Sequence, residues 1–526
     1  MRKRAVILYS LVCFSFLLLF YKIVLINNGA LKDTSKSQQT KTISIASKRG
    51  TIYDRNLNPI TDKSTRLIAA VTPSAMLLQE DDISEQIKNL KEKIEKGHPF
   101  LAEVKTPINN ELVRTFSVSD RYDGTFCCHL TGYLDASLSS GLTGIEKAYD
   151  SFLSESKGSL SVSFGVDAYG RALPGLPKYI NDNGYSSKAG VMLTIDSNIQ
   201  KICEKALAES KIKSGCALVM HIDTGEIYAL ASVPTFDRNN VSESLGKENS
   251  PLVNKALQSY SVGSAFKAVI AAAALESGIS SEETFECKGH IKIGDTVFKC
   301  YNETAHGKLD MSGALENSCN TYFINLIEKL DSQSLLSLCR KLGFSFENGL
   351  CLNYYSQKGI LPTEKDLSLP GEKANFAFGQ GKFTATPIQL LGAYHALSTG
   401  YYVTPSLFYG YANEKGLVKP GNKNTGIKIF SENTVLKIRE MLSNTVNKGN
   451  AYNAKSSFLN LAGKTSTAQS GIYENGKEIC RTWFAGFFPA NNPHYVVIVL
   501  NENGISGNNE CAGVFRQICE NIALSQ

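Results

Sequence analysis

Residues 5–21 carry no charge, three basic residues (Arg2, Lys3, Arg4) precede them, and the apolar run resumes over 23–26 beyond Lys22. About 20 apolar residues span the hydrocarbon core of a bilayer, and a lysine near the end of such a run snorkels its ammonium to the interface. A cleaved signal peptide is the competing interpretation. Its apolar core is typically about 7–15 residues, and no convincing small-x-small cleavage site follows here. Residues 1–26 are therefore expected to be a cytoplasmic stub and an uncleaved single-pass anchor. Basic residues on the short N-terminal side orient that end to the cytoplasm and leave the bulk of the chain outside.

Charge follows the same division. The 526 residues hold 55 Lys and Arg against 49 Asp and Glu, a formal +6. Eight of the basic residues and one acid, Asp33, lie in residues 1–48, which leaves 47 basic and 48 acidic side chains elsewhere. The body of the chain has no net basic field to attract phosphate, so nucleic acid is not an expected partner. A hydrophobic share of 43% excludes wholesale disorder. Residues 27–48, rich in Ser, Thr, Lys and Gln, read as a polar linker.

Two folded parts are expected, 49–165 and 190–526. In the first, 67–71 reads as a strand, and apolar residues at 83, 87, 90 and 94 predict a helix over 83–96, stopped by Gly97 and Pro99. In the second, strands are predicted at 191–195, 216–221, 227–232, 483–488 and 495–501, with helices at 197–208 and 513–524. Strands and helices grouped in this way point to an antiparallel α+β domain. Thirteen cysteines are too sparse for a disulfide scaffold. Cys287 and Cys300 flank an alternating stretch with a Gly294-Asp295 turn; a disulfide and two free buried thiols are both open there. No HExxH or paired CxxC occurs and the seven histidines are scattered, so neither a metal nor a cofactor is expected.

Three short motifs carry the chemistry. Ser264-Ala265-Phe266-Lys267 follows Gly263 and opens a predicted helix over 265–277. Residues three apart on a helix share a face, so Lys267 can reach the Ser264 hydroxyl, and the helix N-terminus favours a developing oxyanion. Ser318-Cys319-Asn320 lies between two predicted helices, and Lys464-Thr465-Ser466-Thr467 sits in a β-like stretch. Each is weak alone: S-x-x-K recurs at Ser154, Ser210 and Ser244, and S-x-N at Ser506.

In this order S-x-x-K, S-x-N and K-T-G form the signature of penicillin-binding proteins and serine β-lactamases. The chain resembles the class B (monofunctional) penicillin-binding proteins. The likeness extends to the anchor, to Arg49-Gly50-Thr51-Ile52-Tyr53-Asp54-Arg55 and Gly141-Leu142-Thr143-Gly144-Ile145-Glu146, and to residues 219–234 and 482–489. Phe378-Gly379-Gln380-Gly381 with Ala385-Thr386-Pro387 also match. The resemblance implies a small dimerisation or pedestal domain over 49–165. It further implies a transpeptidase domain over 190–526, with an antiparallel sheet between helical regions.

By that resemblance Ser264 is the nucleophile that attacks the penultimate D-Ala carbonyl of a peptidoglycan stem peptide. Lys267 is its general base, and Ser318 relays a proton to the leaving amine. Asn320 holds the stem-peptide amide, while Lys464 and Thr465 dock the terminal carboxylate. The backbone N–H groups of Ser264 and Thr467 form the oxyanion hole, and β-lactams acylate Ser264. Ser466 stands where the family usually has Gly, and its hydroxymethyl is expected to alter β-lactam affinity by crowding the strand edge. The expected partners are the lipid-linked precursor, β-lactams and a membrane glycosyltransferase of the SEDS type. The alternatives are a D,D-carboxypeptidase or β-lactamase, in which water takes the acyl group, and a catalytically weak scaffold or sensor. The anchor and pedestal argue against a β-lactamase, and retention of Ser264 and Lys267 argues against a scaffold.

Overall fold

The computed structural model describes residues 2–28, 39–420, 425–474 and 476–525. Arg2–Asn28 is one helix, and its stretch Lys3–Leu25 is 23 residues long with none of it buried. At 1.5 Å per residue that stretch measures roughly 34 Å, long enough to cross a bilayer.

The chain divides into two compact units. Met1–Gly50, Asp62–Arg121 and Glu155–Ser187 form the smaller; Thr51–Thr61, Tyr122–Ser154 and Lys188–Gln526 form the larger. Neither is continuous in sequence, which a linear reading of 49–165 and 190–526 does not anticipate.

In the smaller unit, one three-stranded antiparallel sheet has Gly158–Gly165 between Thr40–Lys48 and Tyr179–Asn183. A second has Thr65–Val71 between Phe100–Val104 and Val113–Ser119. Thr40–Lys48 falls inside the stretch 27–48 expected as a polar linker, of which 29–38 lies outside the described residues. The strand forms because Ile43 and Ile45 alternate with polar residues and pack toward Val162 and Phe164. A half-buried strand needs only that alternation, whatever its average polarity. The helix expected over 83–96 is instead two short ones, Asp81–Gln86 and Leu90–Lys96, separated by Asn89 at φ 55°. Asparagine adopts the left-handed conformation at little cost, and Ile83, Ile87 and Leu90 are all buried in the same core.

The larger unit is built on a five-stranded antiparallel sheet. Its order is Ile227–Val233, Gly215–His221, Tyr495–Gly504, Lys477–Phe488, Ala462–Glu474. Side chains alternate between the faces of a strand, and here both faces are covered. Cys216, Leu218, Met220, Val496, Ile498 and Leu500 enter one core, which contains the helices Lys267–Glu276 and Pro387–Thr399. Ala217, Val219, Val497 and Val499 enter the other, with Ser197–Glu209 and Gly513–Leu524. The result is an α+β domain with an antiparallel sheet between helical layers. Ala462–Glu474, which carries the third motif, is the sheet's edge strand.

Candidate active site

Ser264 lies half-buried on a 3-10 turn, Gly263–Phe266, that runs directly into the helix Lys267–Glu276. This turn is fastened from several sides. Gly263 N–H donates to the Gly379 carbonyl at 2.8 Å, and Tyr260 and Ala385 exchange both backbone hydrogen bonds at 2.9 Å. Trp483 Nε1 donates to the Ser261 carbonyl at 3.0 Å, and Tyr394 hydroxyl to the Ala265 carbonyl at 2.9 Å. Gly263 has φ 62°, and a Cβ there would meet Ser466 Oγ at 2.4 Å; both facts require glycine before the serine. A Cβ on Gly379, at φ 73°, would meet the Gly263 carbonyl oxygen at 2.2 Å.

Lys267 occupies the first turn of the helix and is fully buried. Its ammonium donates to the Ser318 carbonyl (2.7 Å), Ser318 Oγ (3.2 Å) and Asn320 Oδ1 (2.6 Å), which matches its three donors. The Phe323 ring lies 5.7 Å away. Burial pushes this lysine down to about 8. The second motif is a turn in which Ser318 takes φ 53° and Cys319 caps the helix Asn320–Glu328. Asn320 uses both ends of its amide, since Nδ2 donates to the Lys299 carbonyl at 3.0 Å. First and second motifs are thus joined through one lysine.

The third motif lies along the edge strand. Lys464 is fully buried, donates to the Thr465 carbonyl at 3.2 Å, and is held well below the usual lysine range by burial and by the charge of Lys267. Thr465 donates to Asn450 Oδ1 at 3.4 Å. Ser466 is only 2% exposed, and its hydroxyl donates to the Val262 carbonyl at 2.7 Å, two residues before Ser264. Its side chain is directed at the turn that bears Ser264, which differs from the expected crowding of the strand edge. Thr467 is exposed and its Oγ1 accepts from the Gly507 amide at 3.2 Å. All eight residues singled out in the sequence therefore fall on this turn, on the second-motif turn joined to it by Lys267, or on the edge strand beside it.

Sequence reasoning missed the supports. Gly507, in the second S-x-N of the chain, packs against the backbone of Ser466, where a Cβ would come 2.4 Å from its carbonyl oxygen. Glu510 gathers Thr482 Oγ1 (3.0 Å), Asn501 Nδ2 (3.2 Å) and the Ile505 amide (3.1 Å), fixing the loop that bears Gly507. Of the residues that fasten the turn and its strand, Gly379, Ala385 and Trp483 had a signal, in the Phe378-Gly379-Gln380-Gly381, Ala385-Thr386-Pro387 and 482–489 matches, whereas Gly507 and Glu510 lie outside every such match.

The family described as penicillin binding protein transpeptidase domain matches residues 215–520. Stage V sporulation protein D of Bacillus subtilis is 29% identical over 512 residues, covering 90% of this chain and 77% of that protein. Peptidoglycan D,D-transpeptidase MrdA of Acinetobacter baumannii is 26% identical, covering 87% of this chain and 78% of its own. Among solved structures, penicillin binding protein 3 of Mycobacterium tuberculosis in complex with aztreonam superposes with a TM-score of 0.68 at 22% identity, over 92% of this chain and 97% of the other. The D,D-transpeptidase domain of a peptidoglycan glycosyltransferase from Eggerthella lenta gives 0.67 at 24%, over 91% and 99%. With more than half its length inside the matched domain and the three motifs on one turn-and-strand assembly, the chain belongs to the class B penicillin-binding proteins and carries their transpeptidase domain.

Proposed function

We propose that the chain is a serine-type peptidoglycan D,D-transpeptidase with Ser264 as nucleophile. Ser264 Oγ bonds to the carbonyl carbon of the penultimate D-Ala of a stem peptide, and the bond to the terminal D-Ala nitrogen breaks. A stem-peptide amine then attacks the ester and restores the hydroxyl. The observation that carries this reading is the buried Lys267, three residues after Ser264, whose ammonium is held by Ser318 and Asn320. An amine desolvated this far loses its proton more readily than one in water and becomes a competent base for the serine hydroxyl. Ser318, whose Oγ accepts from that ammonium, then passes the proton to the departing amine. Lys464, the second buried lysine, lies on the edge strand, and an anionic substrate terminus there draws it to its charged form. The Ser264 and Thr467 amides supply the oxyanion donors, with Thr465 and Asn320 as further substrate contacts.

The smaller unit serves as the pedestal. The N-terminal helix anchors the chain with its basic end in the cytoplasm and the transpeptidase domain outside. A SEDS-type membrane glycosyltransferase supplies the glycan strands, since the activity assigned to Ser264 joins peptides only.

A fluorescent penicillin applied to the full-length protein tests the assignment. Stable covalent labelling of the wild type, abolished in Ser264→Ala, is expected. Equal labelling of both proteins, or none of the wild type, overturns the nucleophile. Label lost within seconds of chasing points to hydrolysis in place of transfer.

A further inference from the structure

The helix Ser332–Lys341 contains no acidic residue, and its last turn holds Arg340 and Lys341. Residues three and four apart share a helix face. Gln333, Ser337 and Arg340 therefore form one row, with Ser334 and Lys341 on the same side. These residues line one wall of a cavity of about 560 Å³ in the larger unit. The facing wall is Lys428 with Ile429, where the short strand Ile427–Lys428 pairs with Tyr401–Tyr402. Among the described residues, no acidic side chain lines the cavity.

Charge decides what such a cavity takes. Arg340, Lys341 and Lys428 are exposed, and among the described residues none of them has an ion-pair partner. The carbonyl end of the helix supplies roughly half a negative charge, which offsets only a fraction of the three. Glu276 feels the charge of Lys428, but its carboxylate already accepts from the Ser431 amide and hydroxyl, each at 2.8 Å. Asp331 caps the opposite end of the helix through the Ser334 amide. It is roughly 14 Å along the axis from Arg340, where salt screens it. With Glu276 counted in full, about 1.5 positive charges remain uncompensated. A phosphate monoester carries about −1.5 to −2 at neutral pH, which matches that excess. The geometry suits the same group. Arg340 offers a planar fork to two phosphate oxygens, and the Ser337 hydroxyl and Gln333 amide are further donors. Pockets for small ligands span about 300–1,000 Å³, and this cavity falls within that range.

We propose that this cavity binds a phosphate ester, gripped by Arg340 and Lys341 from the helix and by Lys428 from the strand. Outside the membrane such esters occur as lipid headgroups and as soluble or polymer-borne groups. The chemistry is shared, and the two sources are separated by the probes below. None of the three cations belongs to the motifs around Ser264, so the site does not depend on the acyl-enzyme reading.

Full-length protein in uncharged detergent is titrated calorimetrically at low salt with glycerol 3-phosphate. A parallel titration uses dihexanoylphosphatidylglycerol, a short-chain lipid with a phosphodiester headgroup. One saturable site per chain is expected, with affinity falling as salt rises. Tighter binding of the lipid identifies a headgroup as the source; tighter binding of glycerol 3-phosphate identifies a soluble or polymer-borne ester. Arg340→Gln/Lys428→Gln changes one exposed cation on each wall and is expected to weaken binding at least about tenfold. Lys88→Gln/Lys105→Gln, which alters two exposed lysines of the smaller unit, keeps the wild-type affinity. Thermal melts verify that both variants are folded. Absence of saturable heat from the wild type with either probe overturns the site. So does a cavity variant that binds as tightly as the wild type, or a control variant that loses as much.

Discussion

At Ser466 the chain departs from its family's usual glycine, and the local structure shows what the side chain does. The hydroxyl satisfies the buried Val262 carbonyl and lies where a Cβ on Gly263 would have to be. Ser466→Gly removes that hydrogen bond and frees the strand backbone, a loss of about 1–2 kcal/mol. We expect a lower melting temperature and penicillin acylation slowed about tenfold, because a turn fixed on fewer sides holds its nucleophile less well. Stopped-flow acylation beside thermal melts checks this; faster acylation at an unchanged melting temperature would restore the crowding explanation. The motifs themselves were legible because each is local, with Lys267 one turn from Ser264 and Asn320 two residues from Ser318.

Elements were legible wherever hydrophobic periodicity was undivided. The last helix was predicted over 513–524 and is Gly513–Leu524; the sheet's central strands read as continuous apolar runs because both faces are buried. Periodicity does not register a break that keeps the same residues buried, as at Asn89. Nor does it show which distant segment fastens the nucleophile's turn. Gly379 is such a fastener, in a loop more than 100 residues after Ser264 that accepts from Gly263 and approaches its carbonyl closely. In Gly379→Ala the new Cβ overlaps the Gly263 carbonyl, and alanine must also hold φ 73°. The turn has to move, and a displacement of about 1 Å at a nucleophile costs about 100-fold in rate. Acylation by penicillin should fall far more than the folded fraction measured by circular dichroism. Equal losses in both would mean that Gly379 supports the domain as a whole and not the turn.

For the whole molecule, composition identified the apolar N-terminal helix and the near-neutral body, but not the interleaving of the two units. The five crossings of the chain between them carry no compositional mark. What the large unit does reveal through its chemistry is a dependence on pH set by buried histidines. His129 Nε2–H donates to the Pro251 carbonyl at 2.7 Å, and the residue is 8% exposed. Burial first, with the charge of Lys255 adding to it, pushes it down to about 4. Burial also lowers His395, whose two ring nitrogens face the Ile222 and Tyr401 carbonyls and whose neutral ring donates to one of them. An unfolded histidine takes up its proton near pH 6.5, whereas native His129 stays neutral until about pH 4. Between those values the unfolded chain binds more protons, so stability present above pH 6.5 is lost as pH falls toward 4. The His129 share amounts to about 3 kcal/mol by the bottom of that window. Melting temperatures measured from pH 7.5 to 5 should therefore decline, and His129→Gln should flatten the decline without removing it, because His395 acts in the same direction. An unchanged slope in the variant would show that native His129 takes up its proton as readily as the unfolded chain does.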